Sequence, residues 1–597
     1  MKNIVMIIII LSFTLFLSAE EILVSIKNPD NQILKWVEDQ NIEITRSQKN
    51  ELLDIIINEK QLVYLQNKQY QFDILSTEEQ RLRDIAGYRN YEEVTTELQL
   101  IASTYPAITQ LTSLGNSTCH DYYLEGDTDY SDFQFDVWCL KLSDNVQVNE
   151  DEPNVFFAAE IHAREPISLE VDMHILNYLV SNYGVIDSVT AWIDSTQIWF
   201  IPLMNPDGHK LVTEGWHTYH RKNMLDNNAN GLPDYSTADG VDLNRNFGYV
   251  WGNNGTSNDP NSSIYHGPNE WSEQESVFAR DLIYTHKFYA GITYHSYGQY
   301  VLYPLGHLPG ACSYDHEIMD ELAVDMAATI PLIGGGGYYT SRQAVDFGYT
   351  CQGTMGDWGY AEQRIFAYTI ELATTFIPPE IQVNQICEDN LQAALIMLDR
   401  VNYSTVTGLI TDGNDEPLVA EVYVTEIDSV SGMSSVEPVR SDSTFGRYYR
   451  LLLPGEYTFT FYNSNDEQII VNNVLVSENF VTNLDINFNE TETENFQLTV
   501  GNFQLSNYPN PFSLETTISF SLTNESTEEN IEITIYNIKG QKVKQLVINS
   551  ANNFSAGHHS IVWDGKDYND KPVSNGIYFY HIKAGNFIKT KKMILLR

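Results

Sequence analysis

Short apolar runs that end in polar clusters recur through residues 87–402, and they set the strongest constraint on the fold. Four of them read as strands: Val155–Ala159, Ile198–Leu203, Ala290–Tyr294 and Phe366–Leu372. Longer amphipathic stretches separate these runs, and this alternation is typical of an α/β domain with a mixed sheet. Binding sites in open α/β sheets form at the ends of strands. We therefore expect the functional residues in the polar clusters that follow the runs.

The sequence on either side of this domain has a different pattern. Residues 20–86 alternate strand-like and helix-like segments and predict a small α/β unit. This unit is either an ordinary subdomain or an inhibitory pro-segment released by cleavage near Arg81 and Arg83. Short alternating strands separated by turns follow the central domain and predict two β-sandwich modules, at 403–490 and 500–597.

The N-terminus predicts export from the cell. Lys2 precedes an apolar run that continues to Leu17, and the small residue Ala19 follows, so residues 1–19 have the pattern of a signal peptide. A membrane anchor is the alternative, because the run approaches the length that crosses a bilayer. Glu20, directly after Ala19, favours cleavage. No other run is long enough to predict a membrane span.

The chain is strongly acidic, with 34 Lys and Arg residues against 80 Asp and Glu residues among 597. An acidic surface repels nucleic-acid phosphates, so this balance argues against a nucleic-acid partner.

Five cysteines are present, and export permits disulfides. Cys119 and Cys139 bracket a polar stretch between strand-like segments and predict one bridge. Cys312 and Cys351 are a second candidate pair. The odd number leaves one cysteine over, and no surrounding pattern indicates a catalytic thiol.

A candidate metal site follows the first apolar run. In the segment HARE, His162 and Glu165 lie three residues apart at a strand end and can converge on one metal ion. His295, at the end of a later run, fits as a third ligand. Two histidines and one glutamate with an open fourth position are the ligands of a hydrolytic zinc site. Other divalent ions can bind the same groups.

Three further side chains fit peptide hydrolysis at such a site. Glu371 is an isolated acid in an apolar run, and burial would raise its pKa toward that of a general base. Pairing with a structural arginine is the alternative. Arg221 and Arg245 can each bind a carboxylate through two parallel hydrogen bonds. Surface ion pairing is the alternative for each of these two.

Five motifs occur in a fixed order: HARE, HRKN, VDLNRNFG, YHSYGQYVLYP and YAEQRIFAYTIEL. Together they resemble the signature set of the zinc carboxypeptidases of the carboxypeptidase A and carboxypeptidase T type. The resemblance covers residues 87–400, and five separate motifs in sequence make it specific. It implies a mixed-sheet α/β catalytic domain that removes residues from the C-terminal end of peptides.

The resemblance assigns catalytic roles position by position. His162, Glu165 and His295 match the ligands of a single zinc ion. Glu371 matches the base that takes a proton from the attacking water and passes it to the leaving amine. Arg221 matches the group that stabilises the oxyanion of the tetrahedral intermediate.

It also assigns substrate-binding roles. Asn244 and Arg245 match the clamp on the terminal carboxylate of the substrate. Tyr349 matches the mobile tyrosine that closes over the substrate, and Arg164 matches an outer substrate-binding arginine. Asp242 falls where a carboxylate orients a ligating histidine.

The sequence departs from the family between Arg221 and Asn244, where an Asn-rich insertion occurs. It contains oxygen-bearing side chains at the spacing of a calcium loop, namely Asp226, Asn228, Asn230 and Asp234. The glutamate expected at the twelfth position is replaced by Thr237. A polar turn without calcium is therefore the alternative.

The substrate pocket is predicted to be apolar and wide. Family members that prefer Lys or Arg place an acid at the pocket base, and the matching positions here are Gly306 and Gly356. The remaining wall positions are Leu302, Ala344, Cys351 and Thr369. We expect a preference for aliphatic or aromatic C-terminal residues, although the nearby Asp346 and Asp357 leave a basic preference open.

The resemblance extends to the flanking units. It favours a pro-segment at 20–86 that keeps the enzyme as a zymogen. The module at 403–490 resembles the transthyretin-like or regulatory-like β-domain often attached to carboxypeptidases. Residues 500–597 resemble the Ig-like C-terminal sorting domain of type IX secretion cargo and the flagellar hook-capping Ig-like domain. This implies a bacterial protein that is secreted or attached to the cell surface, with the secretion machinery as a partner.

The predicted function is that of a secreted zinc metallocarboxypeptidase acting on peptides and proteins. A cell-wall peptide carboxypeptidase is an alternative within the same chemistry. An inactive surface binding protein is the alternative from another class; it predicts a missing ligand or base, and none is missing from the motifs.

Overall fold

The structure is a computed structural model that describes most of the chain. The described residues are 21–48, 51–231, 233, 239–308, 310, 313–347, 350–403, 405–429, 436–477, 481–488, 505–510, 512–522, 531–537, 542–548, 557–568, 571–584 and 587–595. The predicted signal peptide at 1–19 lies outside these residues. The chain divides into two compact units, one made of residues up to Tyr403 together with Val422–Val439, and the other made of Ser404–Glu421 and Arg440–Arg597.

The first unit begins with a four-stranded antiparallel sheet in the order β2-β3-β1-β4. Its elements are β1 (Glu21–Lys27), α1 (Asn31–Asp39), β2 (Ile44–Gln48), β3 (Leu52–Asn58), α2 (Glu59–Asn67) and β4 (Phe72–Thr77). Asp30 caps α1, and Asn58 forms a capping box with Gln61 at the start of α2. These elements enclose a hydrophobic core of their own, in which Val24 and Ile55 are fully buried.

An eight-stranded mixed sheet follows, in the order β11-β10-β12-β9-β7-β8-β6-β5. Its strands are β5 (Thr109–Asn116), β6 (Asp136–Leu142), β7 (Asn154–Ala159), β8 (Gln197–Ile201), β9 (Phe288–Ser296), β10 (Tyr300–Tyr303), β11 (Thr340–Gln343) and β12 (Phe366–Leu372). The four predicted runs are β7, β8, β9 and β12, which are adjacent and mutually parallel. Their carboxyl ends therefore meet at one edge of the sheet.

Helices surround this sheet. They are α3 (Glu78–Asp84), α4 (Tyr91–Thr104), α5 (Thr118–Leu124), α6 (Ile167–Asn182), α7 (Asp187–Ile193), α8 (Pro206–Thr213), α9 (Gln274–His286), α10 (His316–Ala327), α11 (Met355–Gln363) and α12 (Glu380–Val401). Short 3₁₀ turns occur at Ile85–Gly87, Thr128–Tyr130, Leu243–Arg245 and Ala344–Phe347. Every residue of β7 and β9 is buried, as expected for strands covered on both faces. The predicted mixed-sheet α/β fold is confirmed.

Short strands predominate after residue 403. They are β13 (Thr405–Thr411), β14 (Glu421–Val424), β15 (Val439–Arg440), β16 (Arg447–Leu451), β17 (Gly455–Tyr462), β18 (Gln468–Val476), β19 (Val481–Asn483) and β20 (Ile486–Asn487), with a four-residue helix α13 (Thr425–Asp428). Residues 422–439 belong to the first unit, whereas Ser404–Glu421 and the chain from Arg440 onward belong to the second. A buried salt bridge of 3.1 Å from Arg364 to Asp428 helps to hold this segment there.

The last part of the chain forms two antiparallel sheets, β21-β22-β25 and β24-β23-β26-β27. Their strands are β21 (Leu505–Tyr508), β22 (Thr516–Leu522), β23 (Ile531–Asn537), β24 (Lys542–Ile548), β25 (Gly557–Trp563), β26 (Gly576–Ala584) and β27 (Phe587–Leu595). Both sheets contribute to a core in which Ile518, Trp563 and Tyr580 are fully buried. The predicted strand-rich C-terminal region is confirmed.

The predicted bridge between Cys119 and Cys139 is wrong, because both thiols are free. Cys119 lies at the start of α5 in a cluster with Met224, whereas Cys139 packs in the main core beneath the eight-stranded sheet. Cys351 is also free, and its suggested partner Cys312 lies outside the described residues.

Among the described residues, no helix combines the length and the apolar character needed to cross a membrane.

Candidate metal centre and substrate cleft

Three predicted ligands converge at the carboxyl ends of β7 and β9. His162 and Glu165 lie in the loop after β7, and His295 is the penultimate residue of β9. One potential ligand atom from each residue lies within 4.8 Å of the other two. Nδ1 of His295 is 3.0 Å from Oε2 of Glu165 and 3.1 Å from Nδ1 of His162. All three side chains are buried.

The loop that carries two of these residues is fixed by Ser168 in the first turn of α6. The Ser168 hydroxyl accepts a hydrogen bond from the backbone N–H of Glu160 and donates one to the carbonyl of Glu165. A further backbone bond of 3.2 Å runs from Ala163 N–H to the carbonyl of Arg221. Both ends of the loop are therefore tied to regular structure, which fixes the directions of its side chains.

The donor set fits a zinc ion. It contains two imidazoles and one carboxylate, which are the preferred ligands of hydrolytic zinc sites. Burial, with a further contribution from Arg221, lowers the pKa of His162, so this imidazole is neutral and able to bind a metal. Burial acts to raise the pKa of Glu165, but His162 and His295 outweigh it and keep the carboxylate ionised.

Asp242 connects the metal ligands to the substrate-binding residues. One of its oxygens lies 3.2 Å from Nε2 of His162 and accepts a hydrogen bond from the Asn244 N–H. The other accepts hydrogen bonds from Nε and Nη2 of Arg221 at 3.0 and 2.9 Å. Burial acts to raise the pKa of Asp242, but Arg221 and Arg245 hold it well below the usual range. A carboxylate on the outer nitrogen of a ligating imidazole fixes the ring orientation.

Glu371 lies beside the ligands without belonging to the set. It occupies β12 at the position paired with His295 on β9, and its side chain lines the cavity next to the metal ligands. It is only partly buried, because it faces this cavity. Burial raises the pKa of Glu371 to about 7, with the nearby Glu165 contributing in the same direction. This value suits proton transfer near neutral pH.

The predicted carboxylate clamp lies between the two ligand motifs in sequence, in the 3₁₀ turn Leu243–Arg245. Arg245 is held by hydrogen bonds from Nε to the Gly255 carbonyl and from Nη1 to the Asn244 carbonyl. The side-chain oxygen of Asn244 accepts a bond from Met355 N–H. Both Asn244 and Arg245 line the cavity. Tyr349 lies outside the described residues.

The structure thus gathers nearly every predicted site residue around one cavity. The pocket positions expected from the sequence also line it, namely Leu302, Gly306, Ala344, Cys351, Gly356 and Thr369. Asp357 lines it as well, and its carboxylate accepts hydrogen bonds from the Gly306 N–H at 2.9 and 3.0 Å. Asp346 is not among the lining residues.

Residues 94–393 match the family model described as zinc carboxypeptidase. The chain belongs to this family. Residues 507–586 match the FlgD Ig-like domain. The metallocarboxypeptidase assignment made from the motifs is therefore confirmed at the level of the family.

Relatives agree with this assignment. A zinc carboxypeptidase of Saccharothrix mutabilis subsp. capreolus is 31% identical over 304 residues, which are 48% of this chain and 62% of that protein. A carboxypeptidase B of Astacus astacus is 27% identical over 53% of this chain and 98% of its own length. The match thus spans less than two thirds of the first relative and nearly all of the second.

Solved structures share the fold. Thrombin activatable fibrinolysis inhibitor superposes with a TM-score of 0.54 at 21% identity, over 64% of this chain and 98% of that structure. A carboxypeptidase A from Helicoverpa armigera gives a TM-score of 0.53 at 21% identity, over 63% of this chain and 96% of that structure.

Arg164 has a partner that the sequence did not indicate. Its Nη2 donates a hydrogen bond of 2.8 Å to Glu43, which directly precedes β2 of the N-terminal sheet. Two residues further on, Thr45 lines the cavity itself and forms a hydrogen bond of 2.8 Å with the hydroxyl of Tyr297. Nothing in the local pattern around Glu43 or Thr45 distinguishes them from other surface residues.

The Asn-rich insertion forms a closed turn at its start. Asp226 accepts hydrogen bonds from the N–H groups of Asn230 and Gly231, and Asn228 accepts one from the N–H of Asn230. Asp234 lies outside the described residues. Calcium binding here stays a prediction.

Proposed function

We propose that this chain is a zinc-dependent exopeptidase that hydrolyses the C-terminal peptide bond of peptides and proteins. The observation that carries the proposal is the convergence of His162, Glu165 and His295 beside Glu371, in a cavity that Arg245 also lines. A buried arginine that lines the cavity beside the metal ligands is the group that an exopeptidase needs to recognise the end of its substrate. A terminal carboxylate would add a charge-assisted hydrogen bond to this guanidinium.

His162, Glu165 and His295 would hold the zinc ion. When bound, zinc polarises the scissile carbonyl and makes water a better nucleophile at neutral pH. Glu371 accepts the proton of the attacking water on its carboxylate and later donates it to the leaving amine. Arg221 donates hydrogen bonds to the oxygen that becomes negative in the transition state, a contribution of about 3–4 kcal/mol for one such donor elsewhere.

Asn244 and Arg245 bind the free carboxylate of the last residue, which places the preceding peptide bond at the metal centre. Holding the two reactants in this geometry removes much of the entropic cost of the reaction. The side chain of the last residue then enters the pocket bounded by Gly306, Ala344 and Gly356. The positions that match the pocket base are Gly306 and Gly356, which carry no acidic group, and this favours apolar or aromatic side chains over basic ones.

Residues 20–86 act as a pro-segment in this proposal. The contacts of Glu43 with Arg164 and of Thr45 with Tyr297 support it, because they occupy the cleft where a peptide would approach. Arg81 is a poor cleavage site, since it is buried against the Tyr219 ring at 3.4 Å. The side chain of Arg83 is 69% exposed and is the better site for a trypsin-like protease.

Export completes the proposal. The pattern at residues 1–19 supports a signal peptide, and the Ig-like match at 507–586 supports a C-terminal domain that contacts the type IX secretion machinery. The enzyme would then act outside the cell or at its surface.

The test is the release of amino acids from a panel of unblocked and N-terminally blocked peptides by the full chain, before and after trypsin treatment. We expect single C-terminal residues to appear after treatment, to cease with a chelator and to return with zinc. If folded, zinc-loaded and trypsin-treated protein releases nothing from any peptide, the proposal is wrong.

A further inference from the structure

The carboxylate of Glu43 occupies a positively charged site on the catalytic domain. Arg164 donates a hydrogen bond to it at 2.8 Å, and Ser263 also donates to it. Burial acts to raise the pKa of Glu43, but Arg164 and then Arg221 outweigh it and hold the pKa below its ordinary value. The site thus stabilises an anion on a chain whose net charge is −46.

Arg164 is held rigidly in this site. Its guanidinium lies over the ring of Phe376 at 4.2 Å, and its Nη1 donates to the Tyr219 carbonyl at 3.5 Å. Its side chain is only 4% exposed, and among the described residues its Nε has no hydrogen-bond partner. If the N-terminal unit left, Arg164 would lose its carboxylate. A guanidinium binds a carboxylate through charge-assisted hydrogen bonds, so an anion from elsewhere would bind favourably in its place.

The position of the site relative to the metal centre indicates which part of a substrate reaches it. Thr45 lines the same cavity as the metal ligands, and Glu43 lies two residues before it. Arg164 itself also lines this cavity, beside the metal ligands His162 and Glu165. A peptide that follows the path of this segment would present a side chain to Arg164 from a position shortly before the scissile bond.

We propose that the mature enzyme uses this site to bind the carboxylate of an acidic residue located one to three positions upstream of the cleaved bond. The inference rests on the proposed carboxypeptidase function and narrows its substrates to peptides with an acidic residue near the C-terminus. Glu43 shows how an acidic substrate residue would bind, because its side chain already reaches the guanidinium of Arg164 from the N-terminal segment. A lysine or arginine at the same substrate position would be repelled.

The experiment compares N-terminally blocked pentapeptides that end in Phe and carry either Glu or Gln at each of the three upstream positions in turn. The enzyme is the full chain after trypsin treatment. We expect kcat/KM to be about tenfold higher for Glu than for Gln at one position, mainly through KM, since one hydrogen bond between charged groups has this effect. This ratio should fall to about one in Arg164→Gln.

Two further variants make the result specific. Arg164→Lys keeps the charge and should retain part of the preference for Glu. Arg280→Gln removes a charge on α9 that pairs with Asp281 and should leave the ratio unchanged.

Equal kcat/KM for Glu and Gln at all three positions, in protein that hydrolyses both, would overturn the acidic-site inference and leave the carboxypeptidase proposal intact. A preference for Glu that survives in Arg164→Gln would overturn it as well. Failure to hydrolyse any of the peptides would overturn the proposed function, and this inference with it.

Discussion

His295 and Glu371 occupy paired positions on the neighbouring parallel strands β9 and β12. A metal ligand and the proposed base are therefore spaced by the hydrogen-bonded ladder of a sheet rather than by a loop. The same sheet places β7, which leads into the other two ligands, on the far side of β9. Groups held on regular structure keep their separation better than groups on loops, which favours precise proton transfer.

Replacing Glu371 by Gln should remove the base and keep the shape of the site. We expect kcat to fall by about 10²- to 10⁴-fold, the usual contribution of a general base. The zinc content and the circular dichroism spectrum should match those of the wild type, because Glu371 is not among the three ligands. A variant that retains a tenth or more of the activity would show that another group takes the proton.

Replacing Asp242 by Asn should weaken metal binding without removing a ligand. The ring of His162 would lose the carboxylate that orients it, and such partners typically change metal affinity about 10- to 100-fold. Competition with a chromogenic chelator measures the zinc affinity. The matched control is Asp259→Asn, which changes an exposed aspartate and should leave the affinity unchanged. Unaltered zinc affinity in Asp242→Asn would contradict the orienting role.

Replacing Gly356 by Asp should change the preferred C-terminal residue. No atom lies within 4 Å of a Cβ added at Gly356, and this residue lines the cavity, so the new carboxylate would project into open pocket space. We expect release of Lys and Arg to increase at least about tenfold relative to Phe, because of the new charged hydrogen bond. Gly356→Ala is the control and should keep the wild-type order of release. An unchanged order in Gly356→Asp would place the substrate side chain elsewhere.

Replacing Asp172 by Asn should stabilise the fold at neutral and higher pH. Asp172 is completely buried in α6, and among the described residues neither of its carboxylate oxygens has a hydrogen-bond partner. Burial raises its pKa well above the ordinary value, so the folded chain keeps a proton that the unfolded chain releases at about pH 3.9. The free energy of unfolding therefore falls as pH rises above that value, by up to about 1.4 kcal/mol per unit, until the folded pKa is reached.

Asn cannot ionise, so the advantage of Asp172→Asn should be larger at pH 7 than at pH 5. Urea unfolding at both pH values measures it. An equal effect at the two pH values would mean that Asp172 is ionised in the folded protein.

The strands and the site were predictable because their signals are local or ordered along the chain. Phe366–Leu372 was predicted with the bounds that the structure gives, since a buried strand reads as a continuous apolar run. His162, Glu165 and His295 fall at the ends of such runs, and parallel strands bring their ends to one edge. Glu371 was predicted as an acid whose pKa burial raises, and its partial opening to the cavity was not predicted, because only the three-dimensional packing decides which face of a strand borders a cavity.

Contacts between distant segments were not predictable in this way. The bond between Glu43 and Arg164 joins residues 121 positions apart, and an acidic residue before a short strand carries no signal of its own. The disulfide bridge predicted between Cys119 and Cys139 was wrong because it, too, depended on how separate segments pack. Their spacing in sequence allowed it, whereas packing places the two thiols in separate hydrophobic clusters.

The most direct test of the central claim compares one peptide with a free C-terminal carboxylate and the same peptide with a C-terminal amide. Mass spectrometry follows both with the trypsin-treated, zinc-loaded full chain. We predict that the free acid loses one residue at a time from its C-terminus while the amide stays intact, because Arg245 and Asn244 require a terminal carboxylate. Equal cleavage of the two peptides, or cleavage at internal bonds, would contradict the account.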